Sequence, residues 1–163
     1  MDNLPRGVMP ATPKLASAMA PRLSPEHRRE ILATAGMHPE DALALSLAAS
    51  LEAYAFVPRA EEDAVFMMGV EEASRITGTA MVWMLGTLEM QRYPARVLRA
   101  ARWGVKRAFA VTGAAGLEQY IPRWYGTGLR FVQRLGFGMT PLRVRGYDGG
   151  DLWRVVVHAA AAE

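Results

Sequence analysis

Apolar residues recur along this chain with a period that changes several times, and proline and glycine mark most of the changes. Gly7-Val-Met-Pro-Ala11 reads as a strand, and Thr12-Pro13 as the cap and first-turn proline of a helix to about Met19. Ser24-Pro25-Glu26 repeats that start signal for a helix that Gly36 stops. Pro39-Glu40-Asp41 opens a third, with its acids where the helix dipole favours them, running to about Ser50.

Past that point the pattern turns strand-like. Glu52–Val57 and Ala64–Val70 are two such runs, and the charged stretch Pro58–Asp63 between them reads as a hairpin loop. Thr79–Leu85 is apolar throughout, which predicts a central strand covered on both faces. From Pro94 to Ala110 the residues Val97, Leu98, Ala101, Val105, Ala108 and Phe109 follow helical spacing. Arg92, Arg96, Arg99, Arg102 and Lys106 fill the opposite side, giving an amphipathic helix with a basic outer face. Leu117–Ile121 predicts a short strand and Thr127–Leu135 a helix ended by Gly136. Met139–Arg145 and Leu152–His158 predict a hairpin closed around Tyr147-Asp-Gly-Gly150. The order is β-α-α-α-β-β-β-α-β-α-β-β, an α/β (α+β) chain read as one domain over residues 1–158, with 159–163 as a disordered tail.

Composition narrows the chemistry. The 163 residues suffice for a core burying about two thirds of the unfolded surface. With no cysteine, disulfides, thiolate metal sites and cysteine nucleophiles are excluded. His27, His38 and His158 lie far apart without ligand-like spacing, so no metal site is expected. The N-terminus lacks a signal-peptide pattern and no run has the length of an apolar span, so a soluble protein made in a cytoplasm is expected. Residues 1–90 are net acidic and 91–157 strongly basic. The basic helix face can meet an acidic protein surface or nucleic acid, although no nucleic-acid motif accompanies it.

Four phrases carry a resemblance: SPEHRREILATAG, HPEDALALSLAASLEAYAF, WMLGTLEMQRYPARVLRAAR and LEQYIPRWYGTGLRFVQRLGF. Together with the element order, a central strand feeding a long helix and a later helix ending in Leu-Gly-Phe, they resemble the GNAT (Gcn5-related acyltransferase) fold over about Gly7 to His158. Within that superfamily the chain is similar to GNAT-like proteins of tailed phages, including the internal virion protein A family of short-tailed phages. The resemblance implies a mixed, mostly antiparallel twisted sheet of about six to seven strands with helices on both faces. It also implies a virion-associated component, internal or at the head–tail junction, made in the host cytoplasm and contacting other phage virion proteins.

The family binds acyl-CoA, and its pattern can be carried over residue by residue. A Gly-rich turn, Q/R-x-x-G-x-G/A, holds the CoA pyrophosphate on backbone amides at a helix N-terminus. Here the turn is Gln91-Arg-Tyr-Pro-Ala-Arg96, which keeps Gln91-Arg92 but has no glycine, and Pro94 removes an N–H. Thr87 or a neighbour capping a broken helix is the plainer reading of this stretch. If CoA binds, Met84, Leu85 and Gly86 are expected to offer backbone hydrogen bonds to the pantetheine arm, and Gln91, Arg92 and Arg96 to face the pyrophosphate. The family's proton-donating tyrosine falls at Val132 and its pantetheine-contacting asparagine near Tyr125. Tyr120 and Tyr125 remain as substitutes, and Glu118, Glu71 or Glu72 as a general base. Glu118 and Tyr125 are thus the catalytic candidates. The expectation is a degenerate acyltransferase site in a structural protein, with no cofactor. The alternative is an active acetyl-CoA-dependent N-acyltransferase on a host protein or small amine.

Overall fold

A computed structural model describes residues 3–60 and 62–161. The strands are β1 (Val8–Pro10), β2 (Glu52–Phe56), β3 (Phe66–Val70), β4 (Thr79–Gly86), β5 (Gly116–Pro122), β6 (Gly138–Arg145) and β7 (Asp151–His158). They form one sheet in the order β1-β2-β3-β4-β5-β7-β6, which puts β4 in the middle as its unbroken apolar run predicts. Every neighbouring pair is antiparallel except β4 and β5.

The helices are α1 (Pro13–Met19), α2 (Pro25–Ala35), α3 (Pro39–Ala49), α4 (Pro94–Thr112) and α5 (Gly126–Arg134). Proline at the first helical position costs nothing where the N–H has no intrahelical partner, and four of the five helices begin on one. Thr12 Oγ1 accepts from Leu15 N–H at 3.2 Å and Ser24 Oγ from His27 N–H at 3.2 Å, so both predicted caps form. Gly36 ends α2 and Gly113 ends α4, at φ of 64° and 61°.

Alternation along the strands sorts the layers. Ala55, Met67 and Leu85 face α1, α2 and α3, where Met19 and Leu43 are fully buried against them. Phe56, Phe66 and Met68 face α4 through Val97 and Ala100. Leu117, Ile121, Val155 and Val157 lie under α5 and the end of α4, with Val132 and Phe137 packed on them. Each such apolar side chain contributes about 1.5–3 kcal/mol on leaving water. Helices therefore cover both faces of the sheet.

One feature follows the plainer reading of residues 87–96, and a second differs from the expectation. Between β4 and α4 the chain forms a 3-10 helix, Leu88–Arg92, capped by Thr87 Oγ1 accepting from Glu89 N–H at 3.3 Å. Of the supposed tail, Ala159–Ala161 form a 3-10 turn and Ala159 N–H donates to Ala115 O at 3.1 Å; residues 162–163 lie outside the described residues. The β6–β7 hairpin folds back onto α2: Tyr147 N–H donates to Ala33 O at 2.7 Å, and the Tyr147 ring covers Gly36, where a Cβ would overlap it.

Candidate functional site

The parallel strands β4 and β5 pair only at Thr79–Met81 with Gly116–Glu118, and beyond Met81 they part. Met81 O accepts from Glu71 N–H at 2.9 Å and Thr87 N–H donates to Val65 O at 2.9 Å, both on the β3 side. By strand alternation Leu85 also turns its backbone groups to β3, while Val82, Met84 and Gly86 turn theirs toward the gap. The gap opens into a cleft of about 300 Å³ that reaches from α2 to the space between α4 and α5. Met68, Val70, Val82 and Met84 form its β3–β4 wall, and Val105 and Phe131 belong to its helical wall.

His27 and Glu30 stand three residues apart on α2, one helical turn, and both point into this cleft. They are only 6% and 7% exposed, a rare degree of burial for either residue type. His27 Nδ1 lies 2.9 Å from Gly86 N and 3.0 Å from Gly86 O, so the ring either accepts the Gly86 N–H, with its own proton on Nε2, or donates to the Gly86 carbonyl. Nε2 lies 3.1 Å from Tyr125 Oη and 4.0 Å from Glu30 Oε2. In the tautomer that accepts from Gly86, Nε2–H donates to Oη and leaves the tyrosine's own proton available to the cleft. Burial holds the His27 pKa below its ordinary value, so the ring stays neutral, and burial pushes the Glu30 carboxyl up to about 8. Burial, followed by the charges of Glu30 and Glu26, raises the Tyr125 phenol, so it too is protonated near neutral pH.

The Glu30 carboxyl has no hydrogen-bond partner among the described residues, unlike the carboxylate at the other end of the cleft. There Glu52 accepts from Arg107 Nε at 2.8 Å, from Arg107 Nη2 at 2.7 Å and from Tyr54 O–H at 2.7 Å. Hydrogen bonds from Arg107 hold the Glu52 carboxyl below its ordinary range despite partial burial. Glu52 is saturated, whereas Glu30 is free to bind or take a proton.

The structure brings some predicted residues here and removes others. Tyr125 lines the cleft as expected of a catalytic candidate, on the turn between β5 and α5. Glu118 does not: it lies on the face of β5 opposite Gln119 and Ile121, bound by Arg154 Nε at 2.7 Å. Glu71 and Glu72 are absent from the cleft wall, whereas Val132, at the family's tyrosine position, lines it with an apolar side chain that is 6% exposed. Met84 presents its backbone to the gap, but Leu85 turns away to β3. Gly86 is taken, since its N–H serves His27 and its carbonyl accepts from Ser24 N–H at 3.0 Å, next to a bridge between Leu23 and Thr87.

Among the expected phosphate-facing residues, Gln91 lines the cleft and Arg92 is exposed without a hydrogen bond or ion pair among the described residues. Arg96 is committed elsewhere. Its Nη2 donates to Pro58 O at 3.2 Å and Arg6 O at 3.4 Å, and its guanidinium lies 5.0 Å from the Phe56 ring centre. It therefore leaves the basic stripe, which keeps the exposed Arg92, Arg99, Arg102 and Lys106. Helical spacing puts Arg99, Arg102 and Lys106 on the side of α4 away from the cleft-lining Ala101, Gly104, Val105 and Ala108. Among the described residues no group of three acidic or histidine side chains could hold a metal, and no helix is long and apolar enough to cross a membrane.

Sequence reasoning missed His27 and Glu30 as functional residues. The signal was present in Ser-Pro-Glu-His-Arg-Arg-Glu, where two ionisable groups share the helix face that also carries Ile31. Their partners Gly86 and Tyr125 lie 59 and 98 residues away, beyond any local pattern.

No family model and no curated protein matches the sequence. Solved structures do match in shape. A chimera of the spermidine N-acetyltransferase SpeG from Vibrio cholerae with hSSAT superposes with a TM-score of 0.67 at 9% identity, over 95% of this chain and 96% of that one. The ribosomal-protein-S5-alanine acetyltransferase of Vibrio fischeri gives 0.64 at 14% identity, over 96% and 94%. At such identities the likeness defines the fold, which is that of the GNAT acetyltransferases.

Proposed function

We propose that the cleft carries acyl transfer from a pantetheine thioester to an amine. The observation that supports this reading is the gap between β4 and β5, with the Tyr125 hydroxyl and the unpaired Glu30 carboxyl both opening into it. The arm of the donor lies along Val82 and Met84, whose backbone groups face the gap as a neighbouring strand would require. Glu30, with a pKa of about 8, is a stronger base than an ordinary carboxylate, and in its ionised form, which fills as pH rises toward 8, it takes the proton of the incoming ammonium. Tyr125, held by His27 Nε2–H, gives its proton to the departing thiolate.

Fit to CoA divides at Gly86. The walls suit the arm and thioester, but residues 91–96 lack the glycines and one of the N–H groups of a diphosphate cradle, and Arg96 is tied to carbonyls. The test is thiol release from an acetyl thioester in the presence of a primary amine, with acetyl-CoA and S-acetylpantetheine each as donor. No release above the uncatalysed rate with either donor sinks the proposal.

A second reading, a non-catalytic component of a phage particle contacting other virion proteins, follows from the sequence resemblance. One observation favours its loss of chemistry: the segment Leu23–His27 occupies both backbone groups of Gly86. Mass spectrometry of purified particles tests it. A chain packaged in the particle and inert in thiol release supports this second reading.

A further inference from the structure

Building on the acyl-transfer reading, we infer that the cleft recognises its donor through the acyl-pantetheine arm alone, the nucleotide half of CoA contributing nothing to binding. Three separate contacts point this way. First, the diphosphate of a CoA ester needs convergent N–H donors. Here the chain between β4 and α4 is a capped 3-10 helix, Leu88–Arg92, followed by Tyr93 and the N–H-less Pro94. Second, of the two arginines in this turn only the exposed Arg92 is free among the described residues, because Arg96 places its guanidinium on the carbonyls of Arg6 and Pro58 and on the Phe56 ring. Moving Arg96 to a phosphate would break contacts that hold the start of β1 and the β2–β3 loop together.

The third contact lies between the cleft and that turn. Gly86 follows Met84 on the same edge of β4, so an arm paired with Met84 meets Gly86 next on its way to residues 91–96. Both backbone groups of Gly86 are hydrogen-bonded to Ser24 and His27, and Leu23 bridges Thr87 just beyond. The chain itself closes the edge that would lead a CoA ester to its phosphate seat. What stays open is the wall of Val82 and Met84 with Tyr125 and Glu30 across from it. A thioester on a pantetheine arm, free or carried on the phosphopantetheine of a carrier protein, has the chemistry this space takes.

Enzymes that grip the nucleotide use that remote binding to raise the rate, so truncating CoA to pantetheine costs them turnover. The test compares binding by calorimetry of CoA, pantetheine and adenosine 3′,5′-bisphosphate, alongside thiol release from acetyl-CoA and S-acetylpantetheine. The inference expects pantetheine to bind within about tenfold of CoA, the bisphosphate to give no heat at millimolar concentration, and the two thioesters to differ in kcat/KM by less than about tenfold. It is overturned if CoA binds more than about tenfold tighter than pantetheine, an advantage that Arg92→Ala would trace to that side chain, or if pantetheine gives no heat. Tight CoA with thiol release overturns this inference alone and leaves acyl transfer standing. Pantetheine binding without thiol release does the reverse. An acetylated carrier domain as third donor separates the sources: turnover faster than with S-acetylpantetheine assigns a tethered arm, equal or slower turnover a free one.

Discussion

Tyr125 Oη lies 3.1 Å from His27 Nε2, joining the turn before α5 to the first turn of α2 across the open end of β4 and β5. Because His27 Nδ1 is held by the Gly86 backbone, the orientation of the phenol is set by the central strand. Tyr125→Phe removes the proton donor and keeps the ring. The expected result is a fall of about 10²-fold in kcat with KM for the amine nearly unchanged. A kcat within threefold of the parent would remove Tyr125 from the chemistry.

Glu30 makes a pH prediction whose sign is set by burial. Its pKa rises from 4.5 to about 8, so between those values the folded protein holds a proton that the unfolded chain has lost. Stability from this group is therefore present at low pH and declines as pH rises toward about 8. His27 acts oppositely: with its pKa lowered from 6.5, it costs stability only as pH falls below 6.5. From 6.5 to about 8 Glu30 acts without that opposition. Glu30→Gln should flatten the decline in this window, which spans about 1.5 pH units and so about 2 kcal/mol at most at 1.36 kcal/mol per unit. Urea midpoints at pH 6.5 and 8 measure it, and parallel slopes in both proteins would refute it.

His27→Ala leaves Gly86 N–H unpaired and opens space next to a buried carboxyl. The expected destabilisation is about 2–4 kcal/mol, read from denaturant midpoints at pH 7. Below 1 kcal/mol, the bond to Gly86 would not be holding the end of β4.

Gly104 faces the cleft from α4, and a Cβ there would come within 2.5 Å of Met68 Sδ. The methionine tip is flexible and can yield toward the cleft, while alanine gains about 1 kcal/mol of helix propensity over glycine. Gly104→Ala should leave the melting temperature unchanged or raised while weakening pantetheine binding at least several-fold. Unaltered binding would place the ligand elsewhere.

Much of this fold is legible in local chemistry. Ser24-Pro25 and Thr12-Pro13 cap helices, and Gly36 and Gly113 end them, since caps depend on neighbours a few residues away. The unbroken apolar run of β4 marks the centre of the sheet for a similar reason. The site was legible only in part. Tyr125, named for its place before the Leu-Gly-Phe helix, does line the cleft, but nothing local shows that Glu118 does not, because Arg154 reaches it from β7, 36 residues on. Arg96 looked like an exposed helix residue, and only the fold brings the carbonyls of Arg6 and Pro58 to it. His27 and Glu30 form a site through strands that arrive much later in the chain.

The docking of Tyr147 against Ala33 and Gly36 has a bearing on how the chain assembles. Helix α2, which carries His27 and Glu30, emerges early in synthesis, yet the end of that helix is fastened by the closing hairpin. Contacts so distant in sequence slow folding, and the last turn of α2 gains this fastening only once the β6–β7 hairpin has formed, after β4 has taken hold of its first turn.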